Sequence, residues 1–181
     1  IQNTYEKRQA QFTKEASEAK SSYTSLSWAR VILFVAAIIG IVMLVNDKNG
    51  EAAGAVLIMA IVIYLVLLKA HATLRFKLKQ SAAMEQINSD EVKRLYSDFS
   101  GFYDGKKYYQ ASHPYHEDLD VFGKHSVFQL INRTSTFIGE KMLAKWLGES
   151  ADTKEIVDRQ ESVKELTPDI DFRQNFQAYG M

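Results

Sequence analysis

Two apolar runs, Trp28–Val45 and Ala52–Leu68, lie six residues apart, with charged sequence on both sides of the pair. Apart from Arg30, near the start of the first, neither run contains a charged residue. A helix rises 1.5 Å per residue, so each run spans about 26 Å, the short end of what crosses the hydrocarbon core of a bilayer. The linker Asn46-Asp47-Lys48-Asn49-Gly50-Glu51 is polar and turn-forming. The pair therefore reads as a helical hairpin that crosses a membrane twice and leaves both ends of the chain on one side.

A hairpin buried inside a soluble protein is the alternative, and three details weigh against it. Each run is apolar all round, with no polar stripe at helical period. Trp28 and Tyr64 fall about one turn from the same membrane face, where amphipathic rings prefer to sit. Lys69, Arg75, Lys77 and Lys79 follow the second run, whereas the linker carries Lys48 against Asp47 and Glu51. That basic excess places both termini in the cytoplasm. A polar stretch of more than twenty residues before the first run argues against a cleaved signal peptide.

Between the runs, Ala36, Ala37 and Gly40 are expected to face Gly54 and Ala60, because small residues let helix backbones approach where lipid removes the hydrophobic drive. Gly50 and Gly54 have G-x-x-x-G spacing but straddle the turn, so they read as a turn residue and a packing glycine. No charge lies mid-span, which leaves a transport path or proton relay nothing to run on. The hairpin reads as an anchor.

A net charge of zero gives no global basic field for nucleic acid or anionic lipid, and the absence of cysteine excludes a disulfide framework and thiolate metal sites. Two prolines and no alternating strand pattern predict an all-α chain. Phe12, Ala16, Ala19, Tyr23 and Leu26 step by four and three, a narrow apolar seam before the first run. Leu74, Leu78, Met84, Ile87, Val92, Leu95, Phe99 and Phe102 follow the second, so the flanking helices can pair antiparallel. Asn88 with Glu91 has the spacing of a capping pair, which predicts a break or restart there.

Residues 101–123 change character. Tyr103-Asp-Gly-Lys-Lys-Tyr-Tyr109 mixes aromatic and basic residues as single-strand nucleic-acid surfaces do, but reads better as a turn packed on its own aromatics. His113, His116 and His125 bracket Glu117, Asp118 and Asp120, at spacings that match no zinc pattern. The sequence offers no catalytic residue, no cofactor-binding residue and no metal ligand: no triad and no Gly-rich phosphate loop is present.

The last sixty residues are the most specific. His113-Pro-Tyr-His-Glu-Asp-Leu-Asp-Val-Phe-Gly123 leads into Ser126-Val-Phe-Gln-Leu-Ile-Asn-Arg-Thr134, then Thr136-Phe-Ile-Gly139, Leu143 and Trp146-Leu147. Ile156, Arg159, Val163 and Leu166 follow as I-x-x-R-x-x-x-V-x-x-L. Residues 113–176 so resemble the start of the core, or lever, domain of the MutS family of DNA mismatch-repair ATPases. The His-Pro-Tyr opening and the hairpin look most like a membrane-associated, MutS-related branch seen in bacteria.

The resemblance implies an inner (cytoplasmic) bacterial membrane, ATP and Mg bound by a downstream ATPase domain, DNA gripped by downstream clamp helices, and a homodimer of the full-length protein. A membrane hairpin stands where the family carries its mismatch-reading domain, so ATP-driven binding or remodelling of DNA near a membrane is the function implied. This segment itself is not expected to be an enzyme. The chain begins at Ile1 and stops at Tyr179-Gly180-Met181, so a piece of a longer protein is expected. A stand-alone membrane scaffold without nucleotide or DNA activity is the competing reading.

Local chemistry predicts the details. Thr136 caps a helix to Leu147, closed by a left-handed Gly148, with Met142, Leu143, Trp146 and Leu147 inward. Gly139 is expected to pack closely on a neighbouring helix. Asp152 with Glu155 caps a helix whose Ile156, Val163 and Leu166 face inward, and Arg159 forms an ion pair that clamps two helices. Thr167-Pro168 starts a last helix through Phe172, Phe176 and Tyr179. The expected organisation is a cytoplasmic amphipathic helix (1–27), the hairpin (28–68), a cytoplasmic helix and connector (69–112), and a partial lever domain (113–181).

Overall fold

The computed structural model describes residues 1–181 and contains no β-strand, so the chain is all-α as its sequence predicts. The helices are α1 (Gln2–Asn46), α2 (Gly50–Leu95), α3 (Val127–Ile131), α4 (Phe137–Gly148), α5 (Thr153–Leu166) and α6 (Ile170–Tyr179), with a 3-10 turn at Lys106–Tyr108. Two compact units form: Ala10–Ala82, and Ile1–Gln9 together with Ala83–Met181.

In the unit Ala10–Ala82, α1 and α2 pair antiparallel. The Tyr23 ring lies 4.2 Å from that of His71, and seven residues further along α1 Arg30 meets Tyr64, seven residues back on α2. Phe12, Ala16, Ala19, Tyr23 and Leu26 are all partly or fully buried, and Arg30, Leu33, Ala37, Gly40 and Leu44 extend the same alternation of four and three. A repeat of 3.5 residues keeps one seam facing a partner helix. Ala37 and Ala60 lie on it, whereas Gly40 is half-buried but a Cβ there would meet nothing within 4 Å, so the expected close approach is not made at Gly40. Ala36 and Gly54 lie off it: both are exposed, and Ala53 is the buried residue on α2. One residue turns a helix by about 100°, enough to carry a side chain off a seam this narrow.

The outward faces are apolar. Ile32, Phe34, Met43, Ile58 and Val66 are 62–65% exposed. Both helices are long and apolar enough to cross a membrane, and only 0% and 6% of their most apolar windows are buried. A core helix of a soluble protein hides such a stretch. This hairpin displays it.

The turn is short because each helix end is closed by its own backbone. Lys48 adopts a left-handed φ of 59°, its N–H donates to Val45 O at 3.0 Å, and Asn49 N donates to Leu44 O at 2.9 Å. These two bonds satisfy carbonyls that a helix end leaves open. Asn49 Oδ1 then accepts from Ala52 N and starts α2. Ser97, with φ 57°, closes α2 in the same way through Arg94 O and Lys93 O. α2 therefore runs unbroken through Asn88 and Glu91, and the expected restart there is absent. Both side chains are buried and bonded to distant residues, which removes them from capping.

In the second unit, a small core gathers around Phe128, which is wholly buried among Val121, Phe122 and Ala144. Tyr108 lies 5.9 Å from the rings of both Phe122 and Phe128, and Tyr103 meets Phe128 edge-on at 6.1 Å. These tyrosines are engaged in packing. Gly105 makes it possible: its φ is +68°, and a Cβ there would stand 2.6 Å from the Phe128 ring.

Caps on α4 and α5 are those expected, Thr136 accepting from Gly139 N and Asp152 from Glu155 N. Several faces differ from expectation. Gly148 stays inside α4 and extended Glu149 follows it; the His116 ring approaches to 3.3 Å of where a Gly148 Cβ would stand. Gly139 is tight against Thr136 and Thr134, its own cap, rather than another helix. Met142 and Trp146 are exposed while Ala144 is buried, because the Phe128 core meets α4 on the Leu143–Ala144–Leu147 side. Ile156, Val163 and Leu166 are exposed, since no element packs over that side of α5. Asp169, not Thr167-Pro168, caps α6.

Gly105→Ala should cost about 2–4 kcal/mol, combining left-handed strain with an overpacked aromatic core. Thermal unfolding followed by near-ultraviolet circular dichroism in detergent reads it. An unchanged midpoint would show that the Phe128 core does not close on this glycine.

Candidate functional site

The unit formed by Ile1–Gln9 and Ala83–Met181 holds its connector through buried polar groups. Ser126 caps α3 by accepting from Gln129 N, which turns the Gln129 side chain inward. Its Oε1 accepts from His125 N at 2.7 Å, and its Nε2 donates to Phe102 O at 2.8 Å and to Phe99 O at 3.3 Å. One amide thus pins two stretches of irregular backbone.

The next residues turn back toward α2. Asn132 Oδ1 accepts from Thr134 N and Oγ1, fixing a tight turn. Arg133 then grips Glu91 with two bonds, Nε to Oε1 at 2.7 Å and Nη2 to Oε2 at 2.8 Å. Arg94 donates to the same Glu91 at 3.1 Å and to Asn132 O at 2.8 Å, with its guanidinium 4.2 Å from the Phe102 ring centroid. Burial, and then the charge of Arg133, pull the Arg94 pKa below its ordinary value despite Glu91. Two cations therefore share one buried carboxylate.

Beside this triad sits an amide pair. Gln174 Nε2 donates to Asn88 Oδ1 at 2.8 Å, and Asn88 Nδ2 donates to Met84 O at 2.7 Å and to Gln174 Oε1 at 3.2 Å. Arg8 Nε donates to the same Gln174 Oε1 at 2.9 Å, and Arg8 Nη2 meets Asp171 at 2.6 Å. The chain's first turns, the end of α2 and α6 are joined through one buried point. A cleft of about 840 Å³ opens beside it, lined by Glu91, Arg133, Thr136, Phe172 and Gln177 among others.

At the α4 end, Lys107 Nζ lies 2.8 Å from Glu140, and Tyr108 Oη donates to the same carboxylate at 2.9 Å. The bond to Glu140 raises the Lys107 pKa, and burial, then that carboxylate, raises Tyr108. Arg159 bonds Glu155 within α5 and lies 4.2 Å from the Trp146 ring centroid. It bridges two helices through the ring, while its ion pair stays within one.

The histidines separate. His113 and His116 stack at 3.6 Å and 14°, whereas His125 packs edge-on against Phe99. His113 Nε2 donates to Gly148 O at 2.8 Å, and His116 Nδ1 accepts from Gln110 N at 3.3 Å, which assigns both ring protons to Nε2. Glu117, Asp118 and Asp120 are exposed, and no three acidic or histidine side chains converge as a metal site would require. Burial, with His113 alongside, depresses the His116 pKa.

What this arrangement does chemically is hold, because most of its strong donors and acceptors are spent on one another. Sequence reasoning read Asn88 as a helix cap and gave Gln129 and Gln174 no role as ties. The available signal was a polar residue at a seam position, Asn88 lying four residues from Met84 and one from Ile87, both buried. Compared with known protein families, with curated proteins and with solved structures, the chain matches none.

Glu91→Ala should destabilise this unit by about 3 kcal/mol or more, since it leaves two guanidinium groups facing each other without a counter-charge. Chemical denaturation followed by near-ultraviolet circular dichroism tests this, and Glu91→Ala combined with Arg133→Ala should recover part of the loss. Stability should also fall as pH drops from 7.5 to 5.5. Unfolded His116 takes up a proton near its ordinary pKa of 6.5 while the folded ring resists, so the unfolded state gains protons first. His116→Gln should flatten that part of the pH profile; an identical profile would remove His116 from the account.

Proposed function

We propose that this chain is the N-terminal membrane-anchoring and connector segment of a MutS-like, DNA mismatch-repair-type ATPase. ATP hydrolysis with Mg and the clamping of DNA belong to downstream domains, and the full-length protein works as a homodimer. The hairpin sits in the inner membrane of a bacterium with both termini cytoplasmic. The segment carries no catalysis of its own. It tethers the machinery and connects it to the hairpin.

The observation that carries this reading is the ordered motif between His113 and Leu166. Its residues have separate structural tasks, which supports treating the spacing as that of a folded unit. Ser126, Thr136 and Asp152 are caps, Phe128 is core, Gln129 and Arg133 are ties, and Asn132 sets a turn. The apolar faces of α5 and α6, with Val163, Phe172 and Phe176 exposed, give further helices of a lever a surface to pack on. For the membrane, support comes from the unburied apolar windows and from the basic residues after the second run.

The coding frame beyond the Met181 codon provides the test. A continuation through a long helical region into a G-x-x-x-x-G-K-[ST] loop is expected. An immediate stop codon would overturn the ATPase reading and leave a stand-alone membrane scaffold.

A further inference from the structure

Arg30 is the only charged residue within either apolar run. α1 has no carboxylate between Glu18 and Asp47, and α2 has none between Glu51 and Glu85. The charges nearest the apolar runs at this end are positive, Lys20, Arg30 and Lys69, and the nearest α1 carboxylate, Glu18, stands twelve residues before Arg30. Arg30 is oriented without being neutralised. Its Nη2 donates to Tyr64 Oη at 2.8 Å, its guanidinium carbon lies 5.0 Å from that ring's centroid, and its Nε finds no acceptor in the protein. Tyr64 Oη accepts in this bond and so keeps its own proton to donate.

A groove of about 650 Å³ opens beside this pair, within the unit Ala10–Ala82. Ser27, Arg30 and Tyr64 contribute its polar groups, and Phe34, Ala37, Leu57 and Ala60 are among its apolar walls. Small residues at Ala37 and Ala60 leave the space. The lining extends from Ser27 to Ile41, about 20 Å of helix, against the ~15 Å of one leaflet's hydrocarbon. A slot with a cationic mouth and an apolar body suits an amphiphile with an anionic head, and a free anion would leave the body empty.

We propose that this groove binds one anionic phospholipid, its phosphate held by Arg30 and the Tyr64 hydroxyl and one acyl chain lying between the helices. The proposal rests on the membrane-crossing reading of the hairpin. An anionic head supplies the counter-charge that neither helix provides. It also fixes the hairpin's depth, because the head belongs at the interface where Arg30 and Tyr64 sit.

The test is native mass spectrometry of the full chain released from nanodiscs of mixed phosphatidylglycerol and phosphatidylcholine. The wild type should retain phosphatidylglycerol over phosphatidylcholine by about fivefold, the contribution of one interfacial cation, and Arg30→Gln should bring the ratio to about one. Arg30→Lys should keep part of the preference, and Ala37→Phe, which fills the groove while leaving the cation, should reduce retention of the bound lipid. Equal retention by wild type and Arg30→Gln would overturn the site in favour of ordinary surrounding lipid. Displacement of the lipid by millimolar inorganic phosphate alone would overturn it in favour of a free-anion site. Carbonate extraction of the same proteins separates the two failures: wild type released from the membrane sinks the membrane reading and this proposal with it, whereas retention with unselective lipid binding sinks the proposal alone.

Discussion

The seam between α1 and α2 mixes small residues with a few leucines and aromatics and turns most of the hairpin's large apolar side chains outward. Ala19, Ala37, Ala53 and Ala60 lie on or near it beside Leu26, Leu33 and Leu44, while Ile32, Phe34, Met43, Ile58 and Val66 face away. In water that arrangement is inverted, because the hydrophobic effect rewards hiding the large side chains. In hydrocarbon it carries no such cost, because lipid tails accept large apolar groups.

The other unit obeys the opposite rule. Its apolar core is small, centred on Phe128, and much of its coherence comes from buried polar groups that find partners far along the chain. Such groups are costly unless paired, so the Glu91–Arg94–Arg133 cluster and the Asn88–Gln174 pair penalise any arrangement that separates them. Glu91 and Asn88 stand on one helix, Arg133 and Gln174 on segments that follow it by tens of residues. A polar residue on an otherwise apolar seam fixes register at some cost in stability.

The paired hairpin helices, the turn between them, α4 and α5 with their caps at Thr136 and Asp152, and the apolar seam from Phe12 to Leu26 were legible in the sequence because each depends on neighbours within a few residues. What was not legible depended on distant partners. Asn88 and Glu91 have the spacing of a capping pair, and only the arrival of Gln174 and Arg133 makes them buried ties. Gly148 resembles a helix stop, and only the His116 ring explains it as a close approach. Ala36 and Ala37 are indistinguishable by composition, yet one residue of rotation puts the first outside and the second on the seam. Met142 and Trp146 share the helical period of a buried face, but the Phe128 core meets the neighbouring side of α4.

The central claim is that the hairpin crosses a bilayer and returns. The chain has no cysteine, so single cysteines can be placed without a background. Asn49→Cys in the turn and, separately, Lys154→Cys in α5 would be exposed to a membrane-impermeant maleimide in intact cells and again after lysis. The account predicts that the turn is labelled in intact cells and the α5 position only after lysis. Labelling of both positions before lysis, or of neither, would contradict it.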